Sequence, residues 1–209
     1  MKRKIDYSLY LVAGSDNVEK GKICSSVEDA IIGGCTLVQL REKDTSSKEF
    51  YDTAIQIKRV TDKYSIPLII NDSIDIAIEI NAAGLHIGQH DFPVKQARSL
   101  LGEDKILGVS ASNLLEAEDA VKDGADYLGV GAMFPTGTKN DAIITSIEEL
   151  KKIRNKINIP IVVIGGVNEN TIPLFKGTGI DGIAVVSAIL SKPNIVKASK
   201  EIKQLFEKL

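Results

Sequence analysis

Short, continuous apolar runs recur along the chain at intervals that leave room for one helix each. Eight of these runs are rich in β-branched residues, at 9–13, 37–40, 68–70, 85–87, 106–109, 127–130, 161–164 and 183–186. Strands that are apolar on both faces are typical of parallel sheets covered by helices, whereas a half-exposed sheet would alternate. The pattern therefore predicts eight buried parallel strands.

Between the runs, apolar residues recur every three or four positions. This spacing predicts helices with one buried stripe at 50–64, 74–78, 94–101, 114–121 and 147–153. Asn113, Ser146 and Asn170 stand where a side chain is expected to cap a helix. Strand and helix therefore alternate along the chain.

Alternating β and α elements with right-handed connections leave two main architectures, an open doubly wound sheet or a closed (β/α)8 barrel. Eight strands favour closure, so the predicted fold is an α/β TIM barrel. No linker or low-complexity segment interrupts the sequence, and we expect a single domain over residues 1–209.

The ends of the predicted strands differ in chemistry. Five end in polar clusters, at 39–43, 71–72, 88–91, 109–112 and 135–139, and the last two end in small residues, at 165–166 and 186–188. Parallel strands bring all these ends to one rim of a barrel, where active sites of this fold are built. The sequence therefore predicts a polar site on that rim.

Two acids follow neighbouring strands. Asp72 ends the third strand and Asp91 follows the fourth, so their carboxylates are expected to converge. Two hard oxygen ligands with room for water and phosphate oxygens suit Mg²⁺. The alternative is that each acid caps the helix that follows it.

Cations accompany these acids. Arg41 and Lys43 follow the second strand, two positions apart and in phase with Gln39, which suits a diphosphate. The alternative is a structural ion pair with Glu42 or Asp72. A further cation, Lys139, follows a loop with hydroxyl groups and backbone N–H groups suited to an anion, namely Thr136, Gly137 and Thr138.

The last two strands end at Gly165-Gly166 and Val186-Ser187. The loops at these positions of a (β/α)8 barrel frequently hold a phosphate. His86 lies within an apolar strand, which favours a hydrogen-bonded core histidine over a catalytic one.

Composition excludes several classes of partner. The 26 basic and 28 acidic residues nearly balance, so we expect neither nucleic acid nor a membrane surface as a partner. No apolar segment has the length of a membrane span, and the two cysteines suggest no disulfide framework. A cytoplasmic protein acting on small molecules is expected, and a homo-oligomer stays open.

Six motifs in order resemble the thiamine-phosphate synthase family, over most of the chain from Leu9 to about Leu190. They are Val38-Gln39-Leu40-Arg41-Glu42-Lys43, Ile69-Ile70-Asn71-Asp72, Gly84-Leu85-His86-Ile87-Gly88-Gln89 with Asp91, Leu107-Gly108-Val109-Ser110-Ala111, Gly129-Val130-Gly131 with Pro135-Thr136-Gly137-Thr138-Lys139, and Ile164-Gly165-Gly166-Val167.

The resemblance implies an enzyme that joins hydroxymethylpyrimidine diphosphate to hydroxyethylthiazole phosphate, giving thiamine phosphate and pyrophosphate. It implies pyrimidine diphosphate contacts at Gln39, Leu40, Arg41, Glu42, Lys43, Asn71, Ser110 and Lys139, with Arg41, Lys43, Ser110 and Lys139 acting in catalysis. It implies Mg²⁺ at Asp72 and Asp91, and thiazole phosphate contacts at Thr136, Gly137, Thr138, Gly166, Val186 and Ser187.

The sequence departs from the family pattern at two positions. Ser112 stands where the family often has histidine, and Ser73 stands where arginine is frequent. Both are neighbours of the implied site rather than its ligands. We expect a change in rate or affinity and the same reaction.

Three alternatives differ in what they require. A related thiazole tautomerase shares the barrel but needs no metal-bound diphosphate and would carry a histidine near the fifth strand. A non-catalytic sensor of thiazole or thiamine phosphate would not need the charged rim. An unrelated barrel isomerase would need a catalytic acid and base that the sequence does not offer.

Overall fold

Eight parallel strands close into a barrel in the computed structural model, which describes residues 4–43, 45–137 and 144–209. The strands are β1 (Leu9–Ala13), β2 (Leu37–Leu40), β3 (Leu68–Asn71), β4 (Gly84–Ile87), β5 (Ile106–Ala111), β6 (Tyr127–Val130), β7 (Ile161–Val163) and β8 (Gly182–Val185). Each strand pairs with the next along the chain, and β8 pairs with β1, with Leu9 opposite Ile183. The closed barrel is therefore confirmed, and the open sheet is excluded.

The described helices surround the barrel. They are α1 (Ile23–Ile32), α2 (Ser47–Lys63), α3 (Ile74–Glu79), α4 (Val94–Leu101), α5 (Leu114–Lys122), α6 (Ile147–Lys156), α7 (Ser187–Leu190) and α8 (Ile195–Phe206). The five predicted helices correspond to α2 through α6. Among the described residues, no helix is long and apolar enough to cross a membrane.

Each strand is buried on both faces, and the two faces enter different apolar clusters. Outward residues such as Val38 and Ile70 pack with the helices, while the inner cluster contains Tyr7, Tyr10, Val12, Leu37, Ile69, Ile106, Tyr127, Val162 and Ala184. Side chains alternate along a strand, so inward positions continue from this cluster to the rim. This parity decides which predicted residues face the barrel mouth.

Two of the three predicted helix caps are confirmed. The side chains of Asn113 and Ser146 accept hydrogen bonds from the backbone N–H groups of Glu116 and Glu149. The prediction for Asn170 was wrong, because its N–H donates to Asn168 in a turn and only a 3₁₀ helix follows, Ile172–Phe175. Its second residue is Pro173, which lacks the N–H that a longer α-helix would use.

The N-terminal end of the barrel carries a repeated ion pair. Arg98 on α4 contacts Asp126 just before β6, and Asp126 Oδ2 also accepts from the N–H of Leu107 at 2.8 Å. Arg154 on α6 contacts Asp181 just before β8 at 3.0 Å, and Asp181 Oδ2 accepts from the N–H group of Ile161. These contacts join consecutive βα units at the end of the barrel away from the predicted site.

Candidate active site

The predicted residues that the structure describes gather at the C-terminal ends of the strands. Gln39 lies in β2, Asn71 ends β3, and Ser110 lies near the end of β5. By strand parity all three are in phase with residues of the inner cluster and face the barrel mouth. The prediction of one polar rim is therefore confirmed by the topology.

Two carboxylates and one ammonium group lie together on this rim. Lys43 Nζ lies 2.9 Å from Asp72 Oδ2. Burial and hydrogen bonding to the Asp91 carboxyl raise the pKa of Asp72, while Lys43 opposes the shift. The two acids therefore converge as predicted, close enough for Asp91 to disfavour the ionised form of Asp72.

Neither acid caps a helix, so the alternative reading of these acids is wrong. The cap residues of α3 and α4 are Ser73 and Pro93. Asp91 Oδ2 instead accepts from the N–H of Gly88 at 2.7 Å, which closes a turn in the loop after β4. Asp72 has a left-handed backbone with φ of 60°, a conformation that costs free energy in a residue with a side chain.

The donor set suits a hard divalent cation. Two carboxylates at one point, one of them with a raised pKa, form a site that gains from a cation between them. Across the described residues no group of three or more His, Cys, Asp or Glu side chains offers a closed metal site. An ion here would therefore take its remaining ligands from water or substrate oxygens.

The residues after β2 divide by direction. Gln39 faces inward and is nearly buried, whereas the Leu40 side chain is fully buried in the outer cluster. Any contact from Leu40 to a ligand at the rim is therefore made by its backbone. Arg41 is half-buried, and its N–H group donates to the carbonyl oxygen of Ala13 at 2.8 Å, which joins the end of β2 to β1.

Glu42 has a structural partner that the sequence analysis did not predict. Its Oε1 accepts from the Ser15 hydroxyl at 2.6 Å and from the Ser15 N–H group at 3.1 Å. The carboxylate is thus engaged with the loop after β1. Of the structural ion pairs considered for Lys43, the one with Asp72 is present.

Asn71 and Ser110 present polar atoms to the barrel mouth. Asn71 is only 8% exposed, and no hydrogen bond to its side chain is found within the described residues. Ser110 Oγ lies 3.0 Å from His86 Nε2, and His86 Nδ1 lies 2.9 Å from the Tyr127 hydroxyl. His86 is therefore a hydrogen-bonded core histidine, as predicted.

The ends of β7 and β8 form a cleft of about 440 Å³. Gly166, Val186 and Ser187 line it together with Thr136 from the loop after β6. Gly165 and Gly166 have φ of 90° and 64°, and a Cβ on Gly166 would lie 2.7 Å from Phe134 Cβ. The predicted residues therefore share one cleft, and glycine at 166 permits the close approach of the two loops.

The predicted loop after β6 extends past the end of a described segment. Gly137 is exposed at the edge of the described segment, and Thr138 and Lys139 lie outside the described residues. Their roles stay predictions.

Of the two departures from the family pattern, only Ser112 has a side-chain contact among the described residues that explains it. Ser73 is the residue before α3 and makes no side-chain cap bond. Ser112 donates its N–H and hydroxyl to Glu116 Oε2, at 2.7 and 2.9 Å, at the start of α5.

Sequence reasoning missed two groups, one that lines the cleft and one in the barrel interior. Lys192 and Glu169 line the cleft and form an ion pair at 2.8 Å. Tyr10 and Tyr127 are fully buried and connect the inward polar residues to one another. In the sequence these tyrosines resemble ordinary core residues. The one signal was glycine within strands, at Gly108 and Gly129, which leaves space for rings inside the barrel.

Comparisons with known proteins agree over nearly the whole chain. A family model described as thiamine monophosphate synthase matches residues 9–189. Thiamine-phosphate synthase of Clostridium beijerinckii is 57% identical over 209 residues, covering 100% of both chains. The protein of the same name from Clostridium botulinum is 56% identical, covering 100% of this chain and 98% of its own.

A solved structure gives the same result at the level of the fold. Thiamine phosphate pyrophosphorylase from Pyrococcus furiosus superimposes with a TM-score of 0.88 and 33% sequence identity. The match covers 97% of this chain and 96% of the other.

Proposed function

The chain belongs to the thiamine monophosphate synthase family, and from this premise we propose that it joins hydroxymethylpyrimidine diphosphate to hydroxyethylthiazole phosphate, releasing pyrophosphate. The observation that carries the proposal is one rim with two different anion sites. The Asp72, Asp91 and Lys43 group suits a metal-bound diphosphate, and the cleft between β7 and β8 suits a phosphate monoester.

The pyrimidine diphosphate would lie at the ends of β2 through β5. Arg41 offers a forked contact to phosphate oxygens and Lys43 a point charge. Asn71 and Ser110 offer inward polar groups, and Lys139 is a third cation in the proposal. These positive groups would stabilise negative charge on the leaving diphosphate as the bond breaks.

Mg²⁺ would be held by Asp72 and Asp91. When bound, such an ion offsets charge on the diphosphate and makes it a better leaving group. Both carboxylates have to be ionised to hold it, and the raised pKa of Asp72 makes this harder in acid. The Lys43 ammonium already stabilises the ionised form of Asp72 at 2.9 Å.

The thiazole phosphate would occupy the cleft at the ends of β7 and β8. Bare backbone at Gly166 lets a phosphate approach N–H groups closely, and Thr136 and Ser187 add hydroxyl groups. Gly137, Thr138 and Val186 complete the proposed contacts. Both substrates then enter from the same end of the barrel.

The reaction needs no protein base. The bond between the pyrimidine methylene and the diphosphate oxygen breaks, and the diphosphate leaves with the electron pair. The thiazole nitrogen then donates its lone pair to the methylene carbon, and no proton is transferred. The only described histidine facing the barrel interior, His86, has both ring nitrogens within hydrogen-bond distance of protein groups.

The same observations disfavour the tautomerase. That reaction needs a histidine near β5 as a proton shuttle, and positions 110–112 hold Ser, Ala and Ser. The paired acids at Asp72 and Asp91 would also have no task in it. The charged rim likewise has no task in a sensor that does not turn over its ligand.

The test is product formation by the purified chain. With both substrates and Mg²⁺ we expect thiamine phosphate and pyrophosphate in equal amounts, and an excess of chelator should abolish both. Turnover that persists in chelator would overturn the metal assignment. Binding of thiazole phosphate without pyrophosphate release would favour the sensor.

A further inference from the structure

Five side chains form a continuous hydrogen-bonded chain through the interior of the barrel. Gln39 Nε2 donates to the Tyr10 hydroxyl at 2.7 Å, and the hydroxyls of Tyr10 and Tyr127 are 2.8 Å apart. The Tyr127 hydroxyl lies 2.9 Å from His86 Nδ1, and His86 Nε2 lies 3.0 Å from Ser110 Oγ. This tyrosine–histidine chain joins β2 to β5 beneath the proposed pyrimidine site.

The barrel leaves space for this chain at two glycines. A Cβ on Gly108 would collide with the ring of Tyr127, and a Cβ on Gly129 would lie 3.0 Å from His86 Cε1. Both glycines have φ outside the left-handed region, so their backbone conformation does not require glycine. The missing side chains therefore serve to admit the tyrosine and histidine rings.

The direction of the chain follows from counting hydrogens. Because Gln39 donates to Tyr10, the single hydroxyl hydrogen of Tyr10 is left to donate to Tyr127. The hydroxyl hydrogen of Tyr127 then goes to His86 Nδ1. This is the arrangement that gives each buried hydroxyl one donor and one acceptor role.

The end of the chain is then determined as well. With Nδ1 accepting, neutral His86 carries its hydrogen on Nε2 and donates it to Ser110 Oγ. The Ser110 hydroxyl is thereby occupied as an acceptor, and its own hydrogen is available to donate. At the other end, Gln39 keeps Oε1 as an acceptor.

The tyrosines hold their hydrogens across the working range of pH. Burial raises the pKa of Tyr10 and of Tyr127 well above the ordinary tyrosine value. Both rings are fully buried, with Tyr10 at 2% and Tyr127 at 0% exposure. The direction of the chain is therefore stable against ionisation of its central members.

We propose that Tyr127 is a positioning residue for the pyrimidine substrate, because through His86 it makes the Ser110 hydroxyl a donor directed at an acceptor atom of that substrate. The proposal rests on the proposed function for the identity of the substrate. The direction of the chain does not rest on it. Reversal of the Gln39 amide would reverse every bond and turn Ser110 into an acceptor.

The first experiment reads the direction in the native chain without substrate. The protein contains two histidines, His86 and His90, so histidine ¹⁵N spectra are simple to assign with a His90→Gln variant. We expect His86 to be the Nε2–H tautomer, with Nδ1 unprotonated. An Nδ1–H tautomer would overturn the proposed direction.

The second experiment removes one hydroxyl. Tyr127→Phe leaves His86 Nδ1 without its donor, so we expect the tautomer to become mixed and KM for pyrimidine diphosphate to rise about tenfold, the size of one hydrogen bond to a charged ligand. KM for thiazole phosphate should change less than about twofold. Tyr7→Phe is the matched control, because Tyr7 packs 5.0 Å from Tyr127, ring centre to ring centre, and is not part of the chain. It should change neither KM nor the His86 spectrum.

A double mutant separates positioning from a general structural effect. If Tyr127 acts through Ser110, then Tyr127→Phe combined with Ser110→Ala should raise KM no more than Ser110→Ala alone. Additive effects, or an unchanged KM in Tyr127→Phe, would overturn the positioning role while leaving the proposed function intact. A native chain that forms no thiamine phosphate would overturn the substrate part together with the proposed function, and the tautomer spectrum would still decide the direction.

Discussion

At the N-terminal end of the barrel the carboxylates of Asp126 and Asp181 each have an arginine and a backbone N–H group as partners, whereas at the C-terminal rim Asp72 and Asp91 face one another. The first arrangement satisfies its charges within the chain. The second keeps two carboxylates together beside one ammonium group, that of Lys43, which is the arrangement that the proposed metal ion would use. The difference agrees with the general rule for (β/α)8 barrels, in which the N-terminal end serves stability and the C-terminal end holds the active site.

The largest effect is expected in the unfolding free energy, when an arginine is removed from the N-terminal end of the barrel. Arg98 is 8% exposed, and its guanidinium also donates to the carbonyl oxygens of Gly124 and Gly102. Arg98→Met would take the guanidinium away from both carbonyl oxygens and from the Asp126 carboxylate, and we expect a loss of about 3–5 kcal/mol in unfolding free energy. Denaturant unfolding measures this, and the activity of the remaining folded protein should stay near the native value.

The second ion pair is the matched control for this loss. The Asp181 side chain is 44% exposed, so solvent screens its pair with Arg154. Arg154→Met should therefore cost only about 1 kcal/mol. Equal losses of unfolding free energy in Arg98→Met and Arg154→Met would show that burial does not set the strength of these two ion pairs.

The opposite end should respond in activity rather than in stability. Asp72→Asn removes a proposed metal ligand, and we expect pyrophosphate release to fall on the order of 10²- to 10³-fold. Asp75→Asn is the control, because Asp75 is exposed on α3 only three positions away. A native rate in Asp72→Asn would remove this carboxylate from the mechanism.

A pair of glycines tests the cleft at the ends of β7 and β8. Gly166→Ala brings a Cβ against Phe134 and within 2.8 Å of the Pro135 carbonyl oxygen, at φ of 64°. We expect about 2 kcal/mol of destabilisation and about a tenfold rise in KM for thiazole phosphate. Gly177 has φ of 72° with open space around it, so Gly177→Ala should cost about 1 kcal/mol and leave KM unchanged. A KM that moves equally in both variants would mean that close packing at 166 is irrelevant to binding.

The smallest effect concerns the pH dependence of stability without metal. Burial and Asp91 raise the pKa of Asp72, so the folded state holds that proton more tightly than the unfolded chain does. The contribution of Asp72 to stability is therefore present in acid and is lost as the pH rises through its raised folded pKa. Asp72→Asn should raise the unfolding free energy at pH 7 by less than about 1 kcal/mol, since solvent screens part of the interaction, and by nothing below about pH 4.

Chemical denaturation in chelator at the two pH values measures this difference. The same variant would then be slower as an enzyme and more stable as a protein. Such opposite signs are expected where a site keeps like charges together for a ligand. A loss of stability at pH 7 would mean that the contact with Lys43 outweighs the repulsion from Asp91.

Most of the barrel could be predicted because each strand is a short apolar run that can be recognised from its own residues. The β-branched runs differ from the observed strands by two residues or fewer at each end, and the polar ends locate the rim. The helical spacing did not delimit α1, α7 or α8, since α7 has only four residues and α8 follows the last strand. The helix cap predicted at Asn170 was wrong because the prediction did not take Pro173 into account.

The site was less predictable where its partners are distant in sequence. Asp72, Asp91 and Lys43 each follow a strand, so topology alone brings them together. Tyr10 and Tyr127 lie far apart in the chain and look like core residues, and their hydroxyl contacts depend on the register of strands across the barrel. Glu42 shows the converse, because its bond to Ser15 could not be foreseen from its place between two cations.

The bare positions at Gly108 and Gly129 have a consequence for variation among relatives of this chain. A side chain at 108 occupies the volume of the Tyr127 ring, so the two positions are not free to change independently. Any relative that gains a larger residue at 108 should also have lost the aromatic ring at 127, and should orient its serine by other means. Covariation of positions 108 and 127 would show which relatives keep the tyrosine–histidine chain and which have replaced it.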